Sequence, residues 1–142
     1  MKSVIFTLLF ISLSFCSYAE DLKEFNISGK TVIFFSMTQS EYDSKDEKEQ
    51  SELAETLSDF DHYRGKIQNF LKENKIQSYL TTNSKIILKQ TDNLTSYNRK
   101  QLDHVVGFIM ADQSKKPKVI LGVMTDVGLK DVISKYFSIQ PN

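Results

Sequence analysis

Arg64 is the residue whose position points most directly to chemistry. On a helical wheel it lies about 20° from the centre of an apolar stripe that runs through residues 44–74. An arginine at such a position is typical of a structural ion pair, for which Asp61 on the same side of the wheel is a candidate partner. The less favoured alternative is a guanidinium at the floor of a pocket, where it would bind a carboxylate or a phosphate. Both interpretations stay open on the sequence alone.

His104 is the second candidate. It opens a predicted strand and follows Asp103, but adjacent residues of a strand point to opposite faces, so the two side chains do not form a ready-made proton relay. The pattern indicates either a histidine at a strand end with one hydrogen bond or a general base.

Asp126 follows a predicted central strand and precedes a helical segment. Open sheets bind ligands at such points, and helix N-termini attract anions. The carboxylate of Asp126 works against an anion there, and a role as N-cap of a helix over residues 127–137 accounts for it. Asp126 is therefore a weaker candidate for binding than Arg64.

The remaining motifs argue against a metal, a cofactor or a covalent nucleophile. Asp59 and His62 share the outer face of the predicted helix, whereas Asp61 points elsewhere, so these residues do not form a metal site. The chain has two histidines and one cysteine, and it contains neither a Gly-x-Ser-x-Gly nor a His-Glu-x-x-His motif. We therefore expect no metal and no cofactor.

Residues 1–19 are typical of a cleavable signal peptide. Lys2 supplies the positive start, residues 4–15 form an apolar run too short to span a bilayer, and small residues precede a cut after Ala19. Cys16 follows Phe15 rather than a small residue, which argues against a lipid anchor. We expect a mature protein without cysteine in the periplasm or outside the cell.

The charge of the chain restricts its partners. Its 18 basic and 18 acidic residues give a formal net charge of zero. This balance argues against nucleic acid and against an anionic membrane surface as the partner. No segment after the predicted leader is long and apolar enough to span a membrane.

Residues 20–142 are predicted to form a single domain around one long helix. The apolar stripe of residues 44–74, with the capping-box pair Ser44 and Glu47, predicts that helix. Residues 31–36 are apolar on both faces, which is typical of a central strand. Further strands are predicted at 76–81, 85–90 as the returning arm of a hairpin, 104–111 and 118–124, with Leu94 to Leu102 as an edge strand or a loop.

This order, β-α-β-β-(β)-β-β-α, predicts an α+β fold with a mixed, mostly antiparallel sheet of about five strands. One long and one short helix would pack on that sheet. A hairpin symmetric about residues 112–117 would set Gly107 directly opposite Gly122. Two adjacent glycines would leave a shallow hollow on one face of the sheet.

These observations favour a small exported, non-catalytic binding module with a working surface near Gly107 and Gly122 and with Arg64 as a polar anchor. An inhibitor or immunity-type protein bound to a partner protein fits this description. One alternative is a hydrolase or transferase acting on a small anionic substrate, with His104 as base and Arg64 as anion clamp in one pocket. Another is a symmetric homodimer, because two unequal helices would leave part of the apolar sheet uncovered.

Overall fold

Two stacked sheets and a layer of helices form the protein in a computed structural model that describes residues 21–140. In chain order the elements are β1 (Leu22–Asn26), β2 (Thr31–Phe35), α1 (Gln39–Asp43), α2 (Glu47–Lys66), α3 (Gln68–Glu73), β3 (Gln77–Thr81), β4 (Lys85–Lys89), β5 (Leu94–Asn98), a 3-10 turn (Arg99–Gln101), β6 (Gly107–Ala111), β7 (Lys118–Leu121) and α4 (Asp126–Phe137). The α+β class and the predominance of antiparallel pairing are confirmed. The strands form two sheets, however, rather than one. The predicted signal peptide lies outside the described residues.

β2 is the central strand of the larger sheet, as its sequence predicts. The order of that sheet is β3-β2-β6-β7, with β3 parallel to β2 and the other pairs antiparallel. Val32 and Phe34 point to the helices, whereas Ile33 and Phe35 point to the smaller sheet, and all four are buried. An apolar residue at every position of β2 is therefore explained by burial on both faces.

The smaller sheet covers the second face of the larger one. Its order is β1-β4-β5, with β1 parallel and β5 antiparallel to β4. The predicted hairpin of residues 76–81 and 85–90 is therefore wrong. Lys85 donates its backbone N–H to the carbonyl of Asp21 at 3.0 Å, and the Asp21 carboxylate accepts from Asn83 and Ser84. These bonds place β4 beside β1 instead of beside β3.

The segment from Leu94 to Leu102 is both strand and turn. β5 pairs along its whole length with β4, and the 3-10 turn follows it directly. Tyr97 of β5 packs against the core between the two sheets. The edge-strand alternative for this segment is thus the correct one for its first half.

The helical segment begins differently from the prediction. Ser44 does not cap the long helix but ends α1, a short helix that the apolar periodicity does not predict. α1 has its own capping box, in which Thr38 accepts from the backbone of Glu41 and the Glu41 side chain accepts from the backbone of Thr38. Asp46 caps α2 by accepting from the N–H of Glu49 at 2.9 Å. Each of these short-range bonds satisfies an amide that a helix start leaves free.

The predicted single helix is also interrupted near its end. α2 and α3 are separated at Ile67, two residues after Gly65, and both residue types are poor helix formers. The predicted apolar face nevertheless persists across the break, since Phe60, Ile67 and Leu71 are all buried against the larger sheet. None of the helices within residues 21–140 has the length and apolar character needed to span a bilayer.

Gly107 does not face Gly122, so the proposed hollow is absent. β6 and β7 pair with Gly107 opposite Leu121, one residue away from the predicted register. Gly122 has φ of +87° and ends the ladder, which shortens β7 relative to the predicted strand. A Cβ on Gly107 would overlap the carbonyl oxygen of Ile120 and lie 2.6 Å from Cζ of Phe35. This glycine allows close packing and leaves no space for a ligand.

Candidate functional site

Arg64 forms the ion pair that the helical wheel suggested. Its Nη2 donates to Oδ1 of Asp61 at 3.3 Å, and the exposed fractions of the two side chains are 26% and 65%. Its Nε is buried without a hydrogen-bond partner among residues 21–140. The cavity that Arg64 lines, together with Phe34 and Phe108, has a volume of about 10 Å³. That volume is roughly what one water molecule requires, so the cavity cannot hold a carboxylate or a phosphate.

His104 lies outside the strand in which it was predicted, because β6 begins only at Gly107. Its side chain is exposed, and a Cβ on Gly122 would lie 3.8 Å from its Nδ1. Gly122 also lines the small cavity of Arg64, whereas His104 lines a different and larger pocket. The two residues that the enzyme interpretation needs in one pocket are therefore in separate cavities.

Asp126 is the first residue of α4 and not its N-cap. Thr125 takes that role, and its Oγ1 accepts from the N–H of Gly128 at 3.3 Å. The Asp126 carboxylate lies 3.9 Å from Nζ of Lys66 on α2. The predicted cap is thus displaced by one residue, and Asp126 contributes a long ion pair between two helices instead.

Arg99, which sequence reasoning missed, is the most completely buried charged residue of the described chain, with 4% of its surface exposed. Its Nη2 donates to both carboxylate oxygens of Glu41 at 2.9 and 3.0 Å and to the carbonyl of Thr82 at 2.9 Å. Its Nε donates to the carbonyls of Thr82 and Asn83, both at 3.2 Å. This side chain therefore ties α1 to the connection between the two sheets.

Glu41 is held as an anion at this position. Burial by itself raises the pKa of Glu41, but hydrogen bonds from Arg99 and Thr38, together with the charge of Arg99, outweigh it and lower the pKa below its usual value. Nζ of Lys100 lies 3.4 Å from Oε1 of the same carboxylate. A buried arginine and a largely buried glutamate thus neutralise each other, as burial of charge requires.

A pocket of about 340 Å³ opens beside this ion pair, and we call it the Arg99 pocket. Its charged lining residues are Glu41, Lys45, Arg99, Lys100 and Asp103. Met37, Leu102 and Val105 supply the apolar lining, and Ser44 and His104 complete it. Its volume and mixed lining lie in the range of pockets that bind small molecules or single side chains of a partner.

The side chains that line the Arg99 pocket include no activated hydroxyl nucleophile. The hydroxyl of Ser44, the only alcohol lining it, donates to the carbonyl of Glu41 at 2.6 Å, so it is not activated by His104. No group of three or more metal-ligating side chains occurs within the described part of the chain. The pocket offers cations, one free carboxylate and apolar contacts to a ligand.

Little in the sequence marks this pocket. Thr38 and Glu41 have capping-box spacing, which would have revealed α1 and the fixed position of the Glu41 carboxylate. Arg99, in contrast, is 58 residues from Glu41 and 17 from Thr82, so no local periodicity shows that it is buried. Of the predicted residues, only His104 lines the pocket.

Comparisons with protein-family models, with curated proteins and with solved structures found no match to this chain.

Proposed function

We propose that the chain is an exported, non-catalytic binding module that recognises a partner protein through the Arg99 pocket. The observation that carries this proposal is the construction of the pocket: one wall is fixed by the buried pair of Arg99 and Glu41, while the cations of Lys45 and Lys100 remain at its exposed rim. Side chains that are fixed before binding lose less conformational entropy when a ligand binds, so the cost of binding is smaller. An inhibitor or immunity-type role is the narrower form of the same proposal.

The exposed surroundings of the pocket favour a macromolecular partner. Asp103, His104 and Lys100 are exposed around it. A partner protein can contact such a surface while one of its side chains enters the pocket, which is the usual arrangement of an interface centre and its rim. The predicted leader agrees with a partner that is met after export.

A steric block tests this proposal. The change Asp103→Trp places a large ring at the pocket and leaves the pair of Arg99 and Glu41 intact, and Asp92→Trp makes the same change at an exposed loop position outside the pocket. The tagged full chain is expressed in the cells that produce it, and the proteins captured by each form are identified by mass spectrometry. Both variants should retain the thermal unfolding midpoint of the unchanged protein.

We expect one partner to be captured by the unchanged protein and by Asp92→Trp, and to be lost with Asp103→Trp. Retention of that partner by Asp103→Trp contradicts the proposal, and so does the absence of any captured partner. The intact mass of the recovered protein tests export separately: a chain that begins at Glu20 agrees with cleavage after Ala19, and an uncleaved chain contradicts it.

A further inference from the structure

We propose that the Arg99 pocket binds a carboxylate group of its partner, either an acidic side chain or a chain end. This inference rests on the proposed function and adds the chemical class of the group that enters the pocket. Three observations carry it: an unused nitrogen of Arg99, the charges at the rim, and the apolar lining next to them.

The guanidinium of Arg99 has one donor group left for a ligand. Nε and Nη2 make all five of its hydrogen bonds, to Glu41 and to the carbonyls of Thr82 and Asn83. Nη1 has no hydrogen-bond partner among residues 21–140. It is also not buried, because Arg64 Nε is the one buried side-chain nitrogen or oxygen of these residues that lacks a partner. Arg99 lines the pocket, so we infer that Nη1, its accessible nitrogen without a partner, is the donor that a ligand meets there, and a guanidinium edge suits a carboxylate.

The charges around the pocket favour a single negative charge on the ligand. Arg99, Lys45 and Lys100 are cationic, against the carboxylates of Glu41 and Asp103. Glu41 is already paired with Arg99, and no ion pair of Lys45 is found among the residues described. The surplus is therefore about one positive charge, which matches a carboxylate better than a phosphate monoester of −1.5 to −2.

The apolar lining fits the part of the ligand that carries the carboxylate. Met37 is buried, and Leu102 and Val105 are partly buried beside the charged wall. Methylene groups of a glutamate or the last side chain of a polypeptide would contact these residues. The charge would then lie between Nη1 and the rim lysines.

Short peptides that differ in one group test the inference. The ¹⁵N-labelled protein, expressed from its full coding sequence, is titrated with acetyl-Ala-Glu-Ala-amide, with the matched Gln peptide, with acetyl-Ala-Ala-Ala carrying a free carboxyl group, and with inorganic phosphate. We expect shifts of the amides of Lys45, Lys100 and His104, and binding of at least one carboxylate peptide about tenfold tighter than the Gln peptide. The carboxylate peptide that binds more tightly shows whether the carboxylate of the partner belongs to an acidic side chain or to a chain end.

Charge variants give the matched control. Lys100→Gln and Lys45→Gln should each weaken the binding of the carboxylate peptide severalfold. Lys72→Gln makes an equal change of charge at an exposed position of α3 outside the pocket and should leave the binding unchanged. Equal binding of the Glu and Gln peptides, tighter binding of phosphate, or equal effects of all three variants would overturn the inference. If Asp103→Trp still abolishes partner capture in that case, the proposed function stands and only the carboxylate is wrong.

Discussion

Replacing Arg99 by Met should destabilise the protein by about 3 kcal/mol. Removal of one partner from a buried ion pair costs roughly 3–5 kcal/mol, because the other charge is left without compensation. Here Glu41 remains 22% exposed and retains bonds from Thr38 and Lys100, which places the expected loss at the lower end. The carbonyls of Thr82 and Asn83 also lose their donor. For a domain of this size the loss lowers the Tm by roughly 10 °C.

The matched control is Arg64→Met. Its partner Asp61 is 65% exposed, and such ion pairs contribute at most about 1 kcal/mol. The substitution also removes a buried Nε that has no partner among residues 21–140, and an unsatisfied group of this kind costs about 1–3 kcal/mol. We therefore expect the stability of Arg64→Met to remain within about 1 kcal/mol of the unchanged protein, with a small gain as the expected sign.

The assay is urea unfolding followed by far-ultraviolet circular dichroism, since the chain contains no tryptophan. Adding Glu41→Gln completes a double-mutant cycle, and this second change should cost much less in the Arg99→Met background than alone. Equal losses for the two arginine variants would refute the distinction between a buried and a solvated pair. Additivity within about 0.5 kcal/mol in the cycle would show that Arg99 and Glu41 are not coupled.

Three further predictions follow from the same structure. Gly107→Ala should lower the free energy of unfolding in urea by about 1–3 kcal/mol, because its Cβ would meet packed backbone. Gly29→Ala, with nothing within 4 Å of its Cβ, should leave it nearly unchanged. Equal losses for the two variants would contradict this packing. Because the pKa of Glu41 is lowered in the folded protein, its contribution to the free energy of unfolding is complete above the unfolded pKa of about 4.3 and is lost as the pH falls through the lower folded pKa. The free energy of unfolding should therefore fall less steeply with decreasing pH in Glu41→Gln. The same dependence on pH in both proteins would contradict this prediction. Burial, with the charge of Asp112, raises the pKa of Tyr136 to about 12, so stability should fall between pH 10 and 12. Tyr136→Phe should remove a phenol that titrates near pH 12 from the ultraviolet titration, and a titration unchanged by that variant would exclude the assignment.

The elements that could be predicted from the sequence are those whose cause is local. The stripe of α2 and α3 and the two-faced apolar run of β2 depend on residues within one or two turns or on a few neighbours in a strand, and both appear where expected. The ion pair of Arg64 with Asp61 is likewise three residues apart on one helix. Periodicity reports such relations directly.

The elements that could not be predicted depend on long-range contacts or on one-residue differences. The partners of Arg99 are distant in sequence, so its burial has no local signal. The facing of Gly107 and Gly122 failed because a hairpin register depends on turn geometry, and the observed register sets Gly107 opposite Leu121. The predicted working surface near these glycines depended on the predicted register and is lost with it.

The second sheet, in contrast, follows from an argument that the sequence permits. β2 is apolar on both faces, and α2, α3 and α4 all pack on one of them, so the other face needs a cover. A homodimer was one such cover, but β1, β4 and β5 supply it within the chain. In β4 the buried Ile86 and Leu88 alternate with Lys85, Ile87 and Lys89, which are half-buried or exposed, the pattern of a strand with one face packed on a core. The second face of β2 is therefore covered within the chain, and this cover removes the reason for which a dimer was expected.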